Sequence, residues 1–199
     1  MARTHGNRQK HESANPVQRR LIDGFHRQVI GMVNRVAPAS VLEVGCGEGF
    51  VLSALIDAGT SAQLTGIDLS ARAVADARDR LGEDADVRVE DARELAGLSS
   101  TYDLVMMLEV LEHLADPVAM LPVLNDLADR AVLLSVPHEP WFRGVNLLRL
   151  KNVRHWGNDP EHVNHWTKSS FRRFVGQHLD VSAVASPFPW TLVLATPRR

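Results

Sequence analysis

The sequence lacks several features that mark secreted and membrane proteins. It has one cysteine, Cys46, in 199 residues, so an internal disulfide framework is excluded and a reducing, cytoplasmic location is expected. No apolar run approaches the roughly 20 residues that span a bilayer, so no membrane partner is expected. The formal net charge is −2, which provides no overall field to recruit nucleic acid or lipid. These absences favour an ordinary globular protein of the cytoplasm.

The N-terminus is polar, mildly basic and without the apolar segment of a secretory signal. We expect a flexible tail over residues 1–15 and a single domain over residues 16–199, which is long enough to bury a substantial core. Nothing in the composition fixes the oligomeric state.

The centre of the sequence is the stretch VLEVGCGEGF, residues 41–50. A short apolar run ends in three alternating glycines, Gly45, Gly47 and Gly49, and a helical pattern follows at once. A strand, a glycine turn and a helix form the nucleotide-binding corner of an α/β sheet, because glycine lets the backbone approach a ligand without a Cβ. The dinucleotide pattern G-x-G-x-x-G would place its third glycine at Phe50, so the spacing disfavours a nicotinamide cofactor.

The pattern E-x-G-x-G-x-G, which begins at Glu43, resembles motif I of the class I S-adenosylmethionine-dependent methyltransferases. The resemblance implies a doubly wound, Rossmann-like α/β sheet of seven strands with an antiparallel C-terminal hairpin strand. It also implies S-adenosyl-L-methionine as cofactor, with its methionine part over the glycine loop. The cofactor contacts that it implies are Glu43, Gly45, Cys46, Gly47, Gly49, Asp68, Leu69, Asp91, Ala92 and Leu108.

Hydrophobic periodicity supports this architecture along most of the chain. It predicts helices over residues 16–36, 51–59, 71–81, 92–96, 116–128 and 167–179. It predicts strands over residues 41–44, 63–69, 86–90, 102–108, 131–136, 181–185 and 190–195. Because strands alternate with helices, the ligand is expected at the carboxyl ends of the strands, near the switch point between the first and fourth.

One acidic residue stands at the end of the second predicted strand, and another directly follows the third. Asp68 lies where a ribose is expected, and its two oxygens can accept both ribose hydroxyls; alternatively it caps the next helix, for which Ser70 is a better candidate. Asp91 lies where the resembled family accepts the adenine amino group, or it caps the helix that begins at Ala92.

A third acidic group, Glu109-Val-Leu-Glu112-His113, follows the fourth strand. If the chain turns helically here, Glu109, Glu112 and His113 share a face and converge at the ligand end of the sheet. Such a cluster of like charge requires a divalent metal or a cationic side chain nearby. Without a metal, His113 could act as a general base or contact the substrate.

This segment resembles the E-x-x-E-H segments of two groups of methyltransferases that use metal ions. These are the ubiquinone-type O-methyltransferases and the enzymes that 2′-O-methylate the 3′ end of small RNAs. The second group supplies a further histidine from an H-x-x-x-W-T segment, which His162 matches here, with His165 as its rival. The resemblance therefore implies a candidate metal site of Glu109, Glu112, His113 and His162, and such ligands suit Mg, Mn, Fe or Zn.

Residues 137–166 break the alternation and are predicted to form a lid over the substrate. This segment contains three of the four tryptophans, which could stack on a substrate or form a small satellite core. Its basic residues could bind an anionic substrate such as a carboxylate or phosphate, or be a solvated basic face: Arg143, Arg149, Lys151 and Arg154.

These features predict methyl transfer from S-adenosylmethionine to an oxygen of a small molecule. An alternative is a metal-dependent RNA 3′-terminal 2′-O-methyltransferase, against which stand the compact length, the lack of an added RNA-binding domain and the slightly acidic charge. A third alternative is a protein that binds the cofactor and regulates a partner without catalysis.

Overall fold

The structure, a computed structural model, describes residues 15–95, 101–138 and 163–199. No helix within these ranges is long and apolar enough to cross a membrane. The described helices are α1 (Pro16–Val36), α2 (Phe50–Asp57), α3 (Ala71–Leu81), α4 (Ala92–Leu95), α5 (Met120–Leu127) and α6 (Lys168–Val175). The strands are β1 (Ser40–Val44), β2 (Gln63–Asp68), β3 (Asp86–Val89), β4 (Tyr102–Leu108), β5 (Ala128–Pro137), β6 (Leu179–Ala185) and β7 (Trp190–Pro197). A single 3₁₀ turn, Leu111–His113, follows β4.

The strands form one seven-stranded sheet in the order β3-β2-β1-β4-β5-β7-β6. The five strands from β3 to β5 are parallel, and β7 runs antiparallel to both β5 and β6. The order reverses between β1 and β4, so the carboxyl ends of these two strands form the crevice where such sheets bind ligands. The seven-stranded α/β sheet and its antiparallel C-terminal strands confirm the predicted fold class.

Helices cover both faces of the sheet, and the fourth strand shows why. Successive side chains of a strand point to opposite faces. In β4, Leu104, Met106 and Leu108 pack in the core shared with α1, α2 and α3. Val105 and Met107 pack in the core shared with α4, α5 and α6. The continuous apolar run of β4 is therefore buried from both sides, as expected for a central parallel strand.

Local signals fix the ends of several elements. Helix α1 has the predicted bounds: Asn15 caps it by accepting the N–H of Val17, and Ala37 ends it in a left-handed conformation. Thr167 caps α6 as predicted, in a reciprocal capping box with Ser170. The helix ends at Val175, earlier than expected, because the chain from Leu179 onward pairs as β6 with β7.

Two predicted boundaries around β5 are wrong. The helix expected from residue 116 begins only at Met120, since Asp116 caps a preceding turn by accepting the N–H of Ala119. Strand β5 extends beyond its apolar run, because the backbone ladder continues from Ala128 to Pro137 whatever the side chains are. Pro137 therefore belongs to the strand and not to the expected lid, and residues 139–162 of that lid lie outside the described residues.

Candidate cofactor site and active site

The glycine loop leaves β1 at the switch point of the sheet. Gly45, Gly47 and Gly49 have φ angles of 75°, 54° and 75°, a left-handed conformation that residues with a Cβ rarely adopt. The chain also passes close to its neighbours here: a Cβ on Gly45 would lie 2.5 Å from Cγ2 of Val110. At Gly45, both the left-handed conformation and the lack of room for a Cβ therefore require glycine.

Asp68, at the end of β2, holds this loop in place. Its Oδ2 accepts the N–H of Gly47 at 2.9 Å, and its Oδ1 accepts the N–H of Ser70 at 2.8 Å. Ser70 in turn caps α3 by accepting the N–H of Ala73. The helix cap is therefore Ser70, while Asp68 joins the loop to β2. Each carboxylate oxygen has a second lone pair, which leaves acceptor capacity for the ribose hydroxyls.

Glu43 lies beneath the loop, in β1, and is 3% exposed. Its Oε2 has no hydrogen-bond partner among the described residues. Burial, and to a lesser degree the charge of Asp68, raise the pKa of Glu43 to about 8. A cationic ligand group bound over the loop would favour the ionised form of this carboxyl, which could then accept its hydrogen bonds.

Cys46 packs against the neighbouring strand. It is buried, and a Cβ on Gly66 of β2 would lie 2.9 Å from its Sγ and equally close to Cδ1 of Leu52. The glycine in β2 therefore lets the loop and α2 pack flat on the sheet. Burial raises the pKa of the Cys46 thiol, with smaller contributions from Glu43 and Asp68.

Of the residues expected near the nucleoside, Leu69 directly follows β2, Leu108 ends β4 and Ala92 begins α4. Leu69 is 70% exposed, and Val89 in β3 is 52% exposed, so each presents an apolar side chain to solvent. Leu108, at the end of β4, and Ala92 are buried.

Asp91 has the role of a helix cap. It accepts the backbone N–H of Arg93 at 3.0 Å and forms an ion pair with the Arg93 side chain, whose hydrogen bond lowers the pKa of Asp91. These contacts match the capping alternative, and the adenine contact stays a prediction.

The helical turn predicted for residues 109–113 is wrong. Glu109 has a φ of 59°, so the backbone leaves the right-handed helical region at the first residue of the segment. The 3₁₀ turn then buries Glu112, which is 1% exposed, and leaves His113 exposed. The three side chains consequently do not share a helix face.

The proposed metal ligands do not come together in the described part of the chain. Within residues 15–95, 101–138 and 163–199, no group of three or more histidine, cysteine, aspartate or glutamate side chains could hold a metal ion. Val163 and Asn164 donate their backbone N–H groups to the carbonyl of Glu112, so this stretch does pack on the 3₁₀ turn. His165 is exposed, and His162 lies outside the described residues. Because the predicted set includes His162, the metal site of Glu109, Glu112, His113 and His162 stays a prediction.

Glu109 instead forms a cluster with two residues that the sequence did not single out. Trp190 at the start of β7 donates its indole N–H to Oε2 of Glu109 at 2.6 Å. The Ser135 hydroxyl of β5 donates to Oε1 at 3.3 Å and accepts the Glu109 backbone N–H at 3.2 Å. We call these three residues the Glu109 cluster. No local signal could have found it, because its members are far apart in sequence: Glu109 follows β4, Ser135 lies in β5 and Trp190 begins β7.

Solved structures with similar folds include methyltransferases with a bound cofactor product. Magnesium protoporphyrin IX methyltransferase from Synechocystis, solved with bound SAH, superposes with a TM-score of 0.67, at 22% identity over 94% of this chain and 89% of that one. The methyltransferase domain of bacterial CtHen1-C gives a TM-score of 0.70, at 23% identity over 90% and 100%. At these identities the likeness shows the fold.

Curated relatives match a shorter part of the chain. The ubiquinone biosynthesis O-methyltransferase of Thiobacillus denitrificans is 38% identical over 86 residues, which are 41% of this chain and 36% of that protein. That of Bordetella avium is 42% identical over 82 residues, 39% of this chain and 33% of that protein. The match thus spans about a third of the length of these relatives.

The profile of one protein family, described as a methyltransferase domain, matches residues 14–178. That range includes the glycine loop, Asp68 and the 3₁₀ turn. The chain therefore belongs to the methyltransferase-domain family, and its sheet has the strand order of the class I fold. This confirms the family of S-adenosylmethionine-dependent methyltransferases predicted from the motif at Glu43.

Proposed function

We propose that this protein transfers a methyl group from S-adenosylmethionine to an oxygen of a small, anionic molecule. The observation that carries the proposal is the glycine loop: three left-handed glycines at the carboxyl end of β1, held by the Asp68 carboxylate. We propose a cytoplasmic location, because the single cysteine is buried and cannot support an internal disulfide.

The cofactor fits the residues present. The loop provides a surface without Cβ atoms, and Glu43 provides a buried acceptor for the methionine ammonium group. Asp68 could accept the ribose hydroxyls, and Leu69, Asp91, Ala92 and Leu108 would line the adenine site, to which the exposed Leu69 would offer an apolar surface. When bound, S-adenosylmethionine supplies a methyl group activated by the positive sulfonium sulfur.

The chain positions the acceptor and receives its proton. His113 is exposed on the 3₁₀ turn, directly beyond the strand that ends beside the glycine loop, so its imidazole can take the proton of an attacking hydroxyl. Glu112 is buried and contributes by fixing the turn: its carbonyl accepts two backbone N–H groups from residues 163 and 164. With the cofactor bound, these residues would orient the acceptor oxygen toward the methyl group that the cofactor would supply, and His113 would take up the hydroxyl proton.

The acceptor class rests on the relatives and on the composition. The curated relatives are named as O-methyltransferases of ubiquinone biosynthesis, which supports an oxygen acceptor. The basic residues Arg143, Arg149, Lys151 and Arg154 supply cationic groups for an anionic acceptor. With a net charge of −2 the chain offers no general attraction for RNA.

Calorimetry with S-adenosylmethionine and S-adenosylhomocysteine is the direct test. We expect both to bind with micromolar dissociation constants and NAD to give no heat. Transfer of labelled methyl to a panel of phenolic and carboxylate-bearing acceptors should then find substrates, with single-stranded RNA as the competing arm. Absence of binding to either nucleoside contradicts the proposal. Binding without transfer to any acceptor would instead favour a regulatory role without catalysis.

A further inference from the structure

The Glu109 cluster lies at the carboxyl edge of the sheet and is satisfied by two donors. An ionised carboxylate only accepts hydrogen bonds, and it matches the indole N–H of Trp190 and the hydroxyl of Ser135. Ser135 is fully buried, so its hydroxyl is fixed by the sheet. The carboxylate is thus held from two sides by groups on two different strands.

The backbone of Glu109 is held as firmly as its side chain. Its left-handed φ is unfavourable for a residue with a Cβ, so the surrounding contacts must impose it. Its N–H donates to both the carbonyl and the hydroxyl oxygen of Ser135, each at 3.2 Å. Such strain, kept by the surrounding contacts, is found mostly at functional sites.

Trp190 is itself fixed by a helix on one face of the sheet. Its ring lies 5.0 Å from the ring of Phe25 in α1, at an angle of 51°. Phe25 is buried in the core. Rotation of the indole away from Glu109 would therefore break an aromatic contact as well as a hydrogen bond.

The cluster is next to the place where the methyl donor is proposed to bind. Val110, the residue after Glu109, is in contact with the position above Gly45. Glu109 therefore directly precedes a residue that packs on the glycine loop, and it directly follows β4, the strand that pairs with β1. A carboxylate fixed there attracts a cation in the crevice, and the effect is strong because the site is partly removed from water.

We infer that Trp190 and Ser135 are positioning residues that hold the Glu109 carboxylate as a fixed electrostatic partner for the sulfonium of the methyl donor. The inference rests on the proposed function and deepens it. Since the donor is positively charged at sulfur and its demethylated product is neutral there, the cluster favours the donor over the product. Glu109 acts through its charge, and its two donors keep it in place.

Replacement of Trp190 by phenylalanine tests this inference. Trp190→Phe keeps a ring against Phe25 and removes only the indole N–H. We expect the dissociation constant for S-adenosylmethionine to rise about tenfold, while that for S-adenosylhomocysteine changes less than threefold. Glu109→Gln should give the same loss of preference, and the double variant should lose no more than either single one, because both act on one interaction.

The control is Phe174→Leu in α6, which disturbs aromatic packing with Trp166 in the core on the other face of the sheet and leaves Trp190, Ser135 and Glu109 unchanged. It should lower thermal stability without altering the ratio of the two dissociation constants. If Trp190→Phe does not fold, Ser135→Ala, which removes the second donor, should shift the ratio in the same direction by about threefold. An unchanged ratio in either folded variant overturns the inference. That outcome differs from a failure of the proposed function, in which the unaltered protein binds neither nucleoside.

Discussion

Replacement of Glu43 by glutamine should remove a decline in folding stability between about pH 5 and pH 8. In the folded protein, burial and the nearby Asp68 raise the pKa of Glu43 from 4.5 to about 8. The unfolded chain loses this proton near pH 4.5, and the folded protein keeps it until about pH 8. Between these values the folded state binds more protons, so its stability falls as the pH rises.

The slope follows from the difference of one bound proton, and the total loss of stability follows from the size of the pKa shift. One proton of difference changes the free energy of unfolding by about 1.4 kcal/mol per pH unit, so the wild-type protein should lose several kcal/mol across this window. Glu43→Gln keeps the shape of the side chain and cannot ionise. Urea unfolding of both proteins at pH 5, 6, 7 and 8 measures the difference directly.

Other titrating groups are common to both proteins, so the difference between the two curves isolates Glu43. The matched control is Glu94→Gln, an exposed glutamate of α4, which should follow the wild-type curve. Parallel curves for wild type and Glu43→Gln would show that Glu43 is ionised throughout this range and that the buried environment does not hold its proton.

Replacement of Asp68 by alanine should raise the dissociation constant for S-adenosylhomocysteine at least about a hundredfold, or about 2.7 kcal/mol. In the wild-type protein the Asp68 carboxylate accepts hydrogen bonds from the N–H groups of Gly47 and Ser70. The change leaves these two N–H groups without their acceptor and also removes the proposed acceptors of the ribose hydroxyls. Hydrogen bonds to a charged group contribute about 1.5 to 3 kcal/mol each, so the loss of two or more accounts for this magnitude.

Asp68→Asn should have an intermediate effect, since its amide oxygen can still accept one N–H but the negative charge is lost. The matched surface control is Asp79→Ala on the exposed side of α3, which should bind as the wild type does. Calorimetry on all three variants gives the comparison. Wild-type affinity in Asp68→Ala would contradict both the loop-holding role and the ribose contact.

The fold could be predicted because each element carries its own local signal. The apolar run of β4 indicates burial on both faces, Asn15 and Pro16 mark the start of α1, and Thr167 marks the start of α6. Strand ends were less predictable. The ladder of β5 extends over Ala128 and Pro137 because backbone pairing needs no apolar side chain.

The candidate site was only partly predictable, because part of it depends on local sequence and part on contacts between segments distant in sequence. Glycine spacing and the acidic residue after β2 reflect local geometry, so the sequence was sufficient for the loop and for Asp68. The helical turn at Glu109 was wrong because spacing arguments assume a regular backbone, and a left-handed residue breaks that regularity. Tertiary contacts hold this residue: its N–H donates to Ser135 of β5, and its carboxylate accepts the indole N–H of Trp190 of β7.

The packing of Cys46 against Gly66 has a practical consequence. A thiol that is shut off from solvent and has a raised pKa reacts with an alkylating reagent only when the segment around it opens. As the sole thiol of the chain, it therefore reports the opening of the glycine loop without an introduced label. We expect its labelling rate, followed by intact mass, to fall when S-adenosylhomocysteine is added, and an unchanged rate would mean that the loop opens independently of the nucleoside.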